Sequence, residues 1–235
     1  AHPRMMTTIA APITAYCRTG LEISICTCLA TLYCLRPSPS LRRRAMEPLP
    51  TSASIALIET LQKRRDRPIV LVGLMGVGKS TVGRRLASIL ECSFMDADDA
   101  IEVAAQLSIA EIFSEFGEEY FRDGERRVIA RLIEEDHGVI ATGGGAFINA
   151  ETRALILERA VAVWIDCDID TLVERTSRRD NRPLLRGGKP EVILRRLQRE
   201  RAPFYEQAHI RVEGQRGPHT RTAWSIIEGI VQWLS

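Results

Sequence analysis

The sequence predicts an α/β fold in which a parallel β-sheet is covered by helices on both faces. Short apolar stretches alternate with longer amphipathic ones along most of the chain, which is typical of strand–helix–strand units. Several of the short stretches are almost entirely apolar, as parallel strands buried on both faces are. The predicted strands are 69–73, 93–96, 138–142, 161–166 and 209–213, and the predicted helices are 79–90, 98–106, 108–135, 150–158, 168–176, 190–206 and 218–234.

The amino-acid composition is that of an ordinary globular protein and argues against several other classes. The 235 residues are 45% hydrophobic and 26% charged, and the formal net charge is +2. These values argue against collagen-like, mucin-like and wholly disordered proteins. The small net charge gives no electrostatic reason to expect a nucleic-acid partner. Because no run of about 18 apolar residues occurs, we expect no membrane span.

The N-terminal region, residues 1–45, differs from the rest of the chain. It holds six arginines, a single acid, Glu22, and four of the six cysteines. Three interpretations stay open: a stretch upstream of a working protein that starts at Met46, an organelle transit segment, or a functional arm. We expect 46–66 to form a helix or linker and 67–235 to form the functional domain. Two scattered cysteines in the remainder suit a reducing compartment, the cytoplasm or, with a transit segment, a plastid.

A glycine-rich loop follows the first predicted strand. Residues 73–81 read Gly-Leu-Met-Gly-Val-Gly-Lys-Ser-Thr, and a predicted helix starts within them. Glycines let backbone N–H groups approach a phosphate closely, and the helix N-terminus directs its free N–H groups toward it. Lys79 can bridge the β- and γ-phosphates, and the Ser80 hydroxyl can bind Mg²⁺. The loop therefore predicts a site for a nucleoside triphosphate with Mg²⁺.

An enzyme with such a loop also needs an aspartate near the magnesium ion, and two positions qualify. Asp166 ends an apolar strand, whereas Asp96 and Asp98 stand two residues apart at the end of another. Carboxylates at that spacing point toward the same edge of the sheet, where ligands bind in open α/β folds. Asp166 can instead help to start the next helix, for which Asp168 is the better cap. Periodicity alone does not choose between Asp96 and Asp166.

Further motifs follow in order, and together the series resembles the shikimate kinase family. The motifs are the glycine-rich loop, Asp96-Ala-Asp98, Ser108-Ile-Ala-Glu111-Ile-Phe113, Gly117-Glu118-x-x-Phe121-Arg122, Gly143-Gly144-Gly145, Arg182-Pro183-Leu184-Leu185 and Arg201-Ala202-Pro203-x-Tyr205. The series spans about residues 68–213, and other small kinases with this loop share its first motif but not the whole series. The resemblance implies a P-loop NTPase fold of the nucleoside-monophosphate-kinase type, with a five-stranded parallel sheet, a substrate-binding part over about 97–135 and a lid over about 178–190.

The resemblance also implies an activity and a role for each matched residue. The activity is ATP-dependent phosphorylation of shikimate to shikimate 3-phosphate, a step of chorismate and aromatic amino-acid biosynthesis, by a monomer. The nucleotide would be bound by Gly76, Val77, Gly78, Lys79, Ser80, Thr81, Arg175, Arg182 and Arg216. Shikimate would be bound by Asp98, Arg122, Gly143, Gly144, Gly145 and Arg201. Mg²⁺ would be held by Ser80 and Asp96, and the catalytic residues would be Lys79, Asp98 and Arg182.

The implied roles agree with the chemistry of the side chains. The planar fork of an arginine binds a carboxylate with two parallel hydrogen bonds, which suits Arg122 and Arg201. Asp98 would anchor the hydroxyl that is phosphorylated, and we expect it also to cap the helix that follows. Arg182 lies in a charged, glycine-containing stretch that is typical of a mobile lid. Two other functions stay open: a kinase of another small polyol such as gluconate, and a nucleotide-binding regulator without turnover.

Overall fold

The computed structural model describes residues 52–64, 66–135, 138–177, 189–214 and 217–235. The strands in these ranges are β1 (Ile69–Val72), β2 (Phe94–Asp96), β3 (Val139–Ala141), β4 (Val161–Asp166) and β5 (Ile210–Glu213). The α-helices are α1 (Ser52–Arg64), α2 (Lys79–Leu90), α3 (Ala97–Ala105), α4 (Ile109–Glu135), α5 (Ala150–Arg159), α6 (Ile169–Ser177), α7 (Pro190–Tyr205) and α8 (His219–Trp233). Within the described ranges, no helix is both long and apolar enough to cross a membrane.

The five strands form one parallel sheet in the order β2-β3-β1-β4-β5. β1 lies at the centre, where Ile69 pairs with Val139 of β3 on one side and with Val161 of β4 on the other. All four residues of β1 are buried, as expected for a strand with neighbours on both sides and helices on both faces. The prediction of a five-stranded parallel sheet is therefore confirmed.

Short polar side chains start several of the helices. Ser108 and Glu111 form the expected capping box before α4, since the Ser108 N–H donates to the Glu111 carboxylate at 2.8 Å and the Glu111 N–H to Ser108 Oγ at 3.3 Å. Asp168 caps α6 by accepting from the Thr171 N–H at 2.8 Å, also as expected. The cap predicted for Asp98 is wrong. α3 begins earlier, so Asp96 is its cap and accepts from the Asp98 N–H at 3.1 Å.

The helix that precedes the first strand is joined to the sheet domain by its apolar face. α1 packs against α2 and α8. Leu61 of α1 is completely buried, and the Gln62 amide donates to the carbonyl of Leu90, the last residue of α2, at 3.1 Å. Such a bond satisfies one of the carbonyls that a helix leaves free at its C-terminus. Residues 52–64 therefore contribute to the folded core.

His209, the residue before β5, accepts a hydrogen bond from β4 that requires its neutral form. Its Nδ1 accepts a hydrogen bond from the Ala162 N–H at 3.0 Å, and its ring lies 5.0 Å from that of Trp233. A protonated imidazole cannot accept this bond. Burial, aided by the positive charge of Arg67, lowers the pKa of His209 below its ordinary value of 6.5. The unfolded chain therefore takes up this proton at a higher pH than the folded protein does.

We expect the stabilisation that His209 provides to be lost as the pH falls from 7 to 5, and His209→Asn to remove this part of the pH dependence of stability. The asparagine oxygen can replace Nδ1 as acceptor but does not titrate in this range. The measurement is the midpoint of thermal unfolding against pH for both proteins. Burial and the charge of Arg175 also lower the pKa of His219, so part of the dependence will remain in the variant. Parallel curves for the two proteins would contradict the role given to His209.

Candidate active site

The glycine-rich loop connects β1 to α2 with a backbone that few other residues could adopt. Gly73 has φ +135° and Gly78 has φ +97°, both in the region that favours glycine. A Cβ on Gly73 would lie 2.5 Å from the carbonyl oxygen of Ile165 in β4. The loop is thus packed directly against the neighbouring strand, and Gly78 ends it as the residue before α2.

Lys79 is the first residue of α2, and its ammonium group lies within the curve of the loop. The side chain is buried, and Nζ donates to the carbonyls of Gly73 at 2.7 Å and Leu74 at 3.0 Å. A buried ammonium needs such partners, because removing it from water without hydrogen bonds is costly. The loop therefore holds a fixed positive charge at the N-terminus of α2, where the helix dipole is also positive.

A cavity of about 690 Å³ opens beside this loop. It brings together most of the residues predicted to bind the nucleotide and the metal. The predicted residues in its lining are Gly76, Gly78, Lys79, Ser80, Thr81, Asp96, Asp98, Gly144 and Arg175. Of the other described members of the predicted set, Val77, Arg122, Gly143, Gly145 and Arg201 lie outside this lining. Arg182, Arg216 and the lid residues 178–188 lie outside the described residues.

Two carboxylates stand at the end of β2 and line the same cavity as Lys79. Asp96 ends the strand, and Asp98 lies in the first turn of α3. Burial, aided by the negative charge of Asp96, raises the pKa of Asp98, while the charge of Lys79 opposes this. A carboxylate whose pKa is raised binds a proton more readily than an ordinary aspartate does. Asp98 thus has the character of a proton acceptor.

Asp166, the other candidate for the metal carboxylate, is engaged elsewhere. Its Oδ2 lies 2.7 Å from Nη2 of Arg211 on β5, and its Oδ1 accepts from the N–H of Cys167. Asp166 is not among the residues that line the large cavity. Asp96 lines that cavity together with Ser80 and Lys79. The geometry therefore favours Asp96 over Asp166.

Arg122 on α4 is held in place by two glutamates of the same helix. Nη1 lies 2.7 Å from Glu125, whose side chain is almost fully buried, and Nη2 lies 3.1 Å from the more exposed Glu118. Burial raises the pKa of Glu125, and the charge of Arg122 opposes this. One oxygen of Glu125, Oε1, has no hydrogen-bond partner among the described residues. A fixed guanidinium and a buried carboxylate therefore stand next to each other beside the cavity.

The glycine run, residues 143–145, follows β3 and leaves little room for side chains. A Cβ on Gly143 would lie 2.7 Å from Oε1 of Glu125 and 2.9 Å from Oδ1 of Asp98, and one on Gly145 would lie 2.6 Å from Arg122. Distances under about 3 Å are shorter than carbon contacts tolerate. The absence of side chains here lets Asp98, Arg122 and Glu125 converge on one stretch of backbone.

Two side chains of α7 complete this part of the site. Nη1 of Arg201 and the hydroxyl of Tyr205 both donate to the carbonyl of Gly144, at 2.9 and 2.6 Å. Burial raises the pKa of Tyr205 to about 12, so its hydroxyl stays protonated and can donate. The carbonyl of Gly144 thus holds Arg201 close to the residues that converge on the glycine run.

Arg175 and His219 line the cavity near Gly78. Nη1 of Arg175 donates to the carbonyl of Val77 at 3.0 Å, which places α6 against the glycine-rich loop. His219, the first residue of α8, lies close enough that a Cβ on Gly78 would be 3.2 Å from its Cε1. Both residues line the cavity. A guanidinium and an imidazole therefore stand beside the loop.

Sequence reasoning did not identify Glu125, Tyr205 or His219 as part of the site. Glu125 stands three residues after Arg122, and Tyr205 four residues after Arg201, so helical spacing could have signalled both. His219 carried no comparable signal, because only the packing of α8 against the glycine-rich loop brings it to the cavity. The roles of the residues that were predicted stay predictions.

Comparison with known proteins agrees with this architecture. A family model described as shikimate kinase matches residues 75–233. A shikimate kinase of Novosphingobium aromaticivorans is 58% identical over 181 residues, which cover 75% of this chain and 94% of that protein. One of Caulobacter vibrioides is 55% identical over 174 residues, covering 74% of this chain and 87% of that protein.

Solved structures give the same result. The structure of an Acinetobacter baumannii shikimate kinase in complex with shikimate superposes with a TM-score of 0.70 at 36% identity, covering 74% of this chain and 97% of that chain. A shikimate kinase of Aquifex aeolicus superposes with a TM-score of 0.62, also at 36% identity, covering 69% of this chain and 95% of that chain. The five-stranded fold and the family predicted from the motifs are confirmed, and this chain belongs to the shikimate kinase family.

Proposed function

We propose that this chain transfers the γ-phosphoryl group of ATP to shikimate and forms shikimate 3-phosphate. One observation carries the proposal: the half-buried carboxylate of Asp98 interacts with the charge of Lys79 and lies next to Glu125, the partner of Arg122, at Gly143. A hydroxyl held there would have a proton acceptor beside it and a phosphate-binding loop in front of it. A carboxylate elsewhere on the same small molecule could be held by the arginine.

The glycine-rich loop is the proposed phosphate site. Its backbone and the N-terminus of α2 provide N–H donors and a positive dipole, and Lys79 provides a full charge. The two carbonyls that now accept from Lys79 compete weakly with a phosphate oxygen, because an anionic acceptor makes the stronger bond. Lys79 would therefore turn toward the triphosphate and neutralise charge on the moving phosphoryl group.

The residues in the cavity also fit a magnesium ion. Ser80 and Asp96 offer a hydroxyl and a carboxylate, which are the oxygen donors that Mg²⁺ prefers, and both line the cavity beside Lys79. When bound, Mg²⁺ would neutralise charge on the phosphates and orient them. Asp96 would act on the ion directly or through a water molecule. Its backbone position is fixed, because it also caps α3.

The substrate would lie on the other side of Asp98, against the glycine run. Arg122 and Arg201 would share the carboxylate of shikimate, and the Gly144 region would bring backbone groups to its hydroxyls. Asp98 would accept the proton of the hydroxyl that attacks the phosphoryl group. Because phosphoryl transfer needs little covalent chemistry from the protein, positioning and charge account for the rest of the rate. Arg182 is proposed to stabilise the transferred group from the lid.

A coupled ADP-release assay on the full chain tests the proposal. The assay is run with ATP and Mg²⁺ and, separately, with shikimate, quinate or gluconate. We expect turnover with shikimate and none above background with the other two. Turnover with gluconate alone would contradict the proposal in favour of a polyol kinase, and nucleotide binding without turnover would favour a regulator. A monomeric state and a cytoplasmic location stay predictions.

A further inference from the structure

Helix α4 is interrupted at one residue, Gly117. The helix runs from Ile109 to Glu135, but Gly117 has φ +82° and ψ +177°, far from helical values. This conformation is essentially restricted to glycine, because a side chain clashes with the adjacent backbone. A Cβ built on Gly117 has no neighbour within 4 Å. The requirement for glycine therefore comes from the backbone and not from lack of space.

The interruption changes the direction of the chain within α4. Phe113 and Phe121 lie on opposite sides of Gly117 and eight residues apart, yet their ring centroids are only 4.6 Å apart. In a straight helix, two residues at this spacing would be separated by roughly 12 Å along the axis. Phe121 is buried, so this contact belongs to the core. The bend at Gly117 is therefore coupled to packing on both sides of it.

The segment that begins after the bend carries Arg122 and both of its partners. Glu118 is the first residue after Gly117, and it holds Arg122 through Nη2 at 3.1 Å and Nε at 3.3 Å. Glu125 holds the same side chain through Nη1 at 2.7 Å. Because all three residues belong to segment 118–135, the guanidinium follows any change in the direction of that segment.

The side chains of Arg122 and Glu125 have little freedom to move, because both lie close to the glycine run. A Cβ on Gly145 would lie between 2.6 and 2.8 Å from the guanidinium atoms of Arg122. Glu125 is equally close to the position of a Cβ on Gly143, next to Asp98. A small rotation of segment 118–135 would therefore move the guanidinium relative to Asp98 and to the backbone of the glycine run.

We propose that Gly117 is a positioning residue for the anionic end of the substrate. Its backbone conformation sets the direction of segment 118–135, and this direction places Arg122 against the glycine run. The inference rests on the proposed function, in which Arg122 binds the carboxylate of shikimate. Alanine at this position would either strain the bend or let α4 straighten, and both changes would displace the guanidinium.

Gly117→Ala and a matched control, Gly124→Ala, test the inference in the full chain. Gly124 lies in the same segment, two residues after Arg122, and a Cβ there also has no neighbour within 4 Å. Its φ is not positive, so alanine suits the helix. We expect Gly117→Ala to raise the KM for shikimate about tenfold or more, as when a charge-assisted contact with substrate is lost. The KM for ATP should stay within about twofold.

Gly124→Ala should leave both KM values unchanged and raise the midpoint of thermal unfolding. The double variant separates stability from positioning, because it should recover part of the lost stability and keep the raised KM for shikimate. An unchanged KM for shikimate in Gly117→Ala would overturn the inference. So would a double variant in which recovered stability restores that KM. A wild-type chain that does not phosphorylate shikimate would instead contradict the proposed function, and the inference with it.

Discussion

Asp98→Asn is expected to lower kcat about a hundredfold to ten-thousandfold, the range for removing a general base. Asparagine has nearly the same shape and can still accept a hydrogen bond from the substrate hydroxyl, but it cannot take the proton. The affinity for ATP should not weaken, because the change removes a negative charge near the triphosphate. The measurements are kcat from ADP release and the dissociation constant of ATP.

The pH profile of kcat/KM provides a second test of the same residue. Asp98 must be ionised to accept a proton, and its pKa is raised above the ordinary value of 3.8, mainly by burial. Activity of the wild type should therefore fall on the acidic side at a higher pH than for an exposed aspartate, and Asp98→Asn should lack this decrease. Asp123→Asn is the control, since Asp123 lies on the surface of α4 and pairs with Arg126 and Arg127. A kcat for Asp98→Asn close to that of the control would refute the assignment.

Asp96→Asn is expected to raise the magnesium concentration needed for half-maximal activity about tenfold to a hundredfold, as losses at or next to a metal ligand do. Asparagine is also a good helix cap, so α3 should start at the same residue and the fold should be retained. The measurement is the initial rate of ADP release against free Mg²⁺ at a fixed ATP concentration.

Asp166→Asn is the matched control for this experiment. It makes the same chemical change in a carboxylate that ends a neighbouring strand but is paired with Arg211. We expect its magnesium dependence to follow that of the wild type. If instead Asp166→Asn shifts the magnesium dependence and Asp96→Asn does not, the metal carboxylate is Asp166, and the geometric argument for Asp96 is wrong.

Secondary structure could be predicted well, because local patterns determine most of it here. Apart from α1, which was predicted only as a helix or linker over 46–66, the observed strands and α-helices agree with the predicted bounds to within one residue at each end. Strands such as β4 were recognisable because all of their residues but the last are apolar, and α4 was recognisable from its capping box. The cap of α3 was misplaced because Asp96 and Asp98 are equally good capping residues, and only the backbone of the structure shows where the helix begins.

Site residues could be predicted where a sequence motif itself indicates the chemistry. They were harder to predict where the tertiary packing brings a residue to the site. The glycine-rich loop has a characteristic sequence that includes Lys79 and Ser80, so both residues could be identified directly. The choice between Asp96 and Asp166 depends on Arg211, which pairs with one of them and is distant in the sequence. Glu125 has an ordinary helical position, and its importance comes from burial against the glycine run. The break at Gly117 is invisible to periodicity, because apolar residues continue on both sides of it.

The glycine run has a consequence for how selectivity could change within this architecture. A Cβ at each of its residues would crowd a different neighbour: Glu125 at Gly143, the backbone nitrogen of Met75 at Gly144 and Arg122 at Gly145. A substitution in the glycine run would therefore disturb both the glycine-rich loop, which contains Met75, and the pair formed by Arg122 and Glu125. Variants that phosphorylate a different small molecule should therefore arise on α3 and α4, where a side chain can be exchanged without moving the loop that is proposed to bind the phosphates.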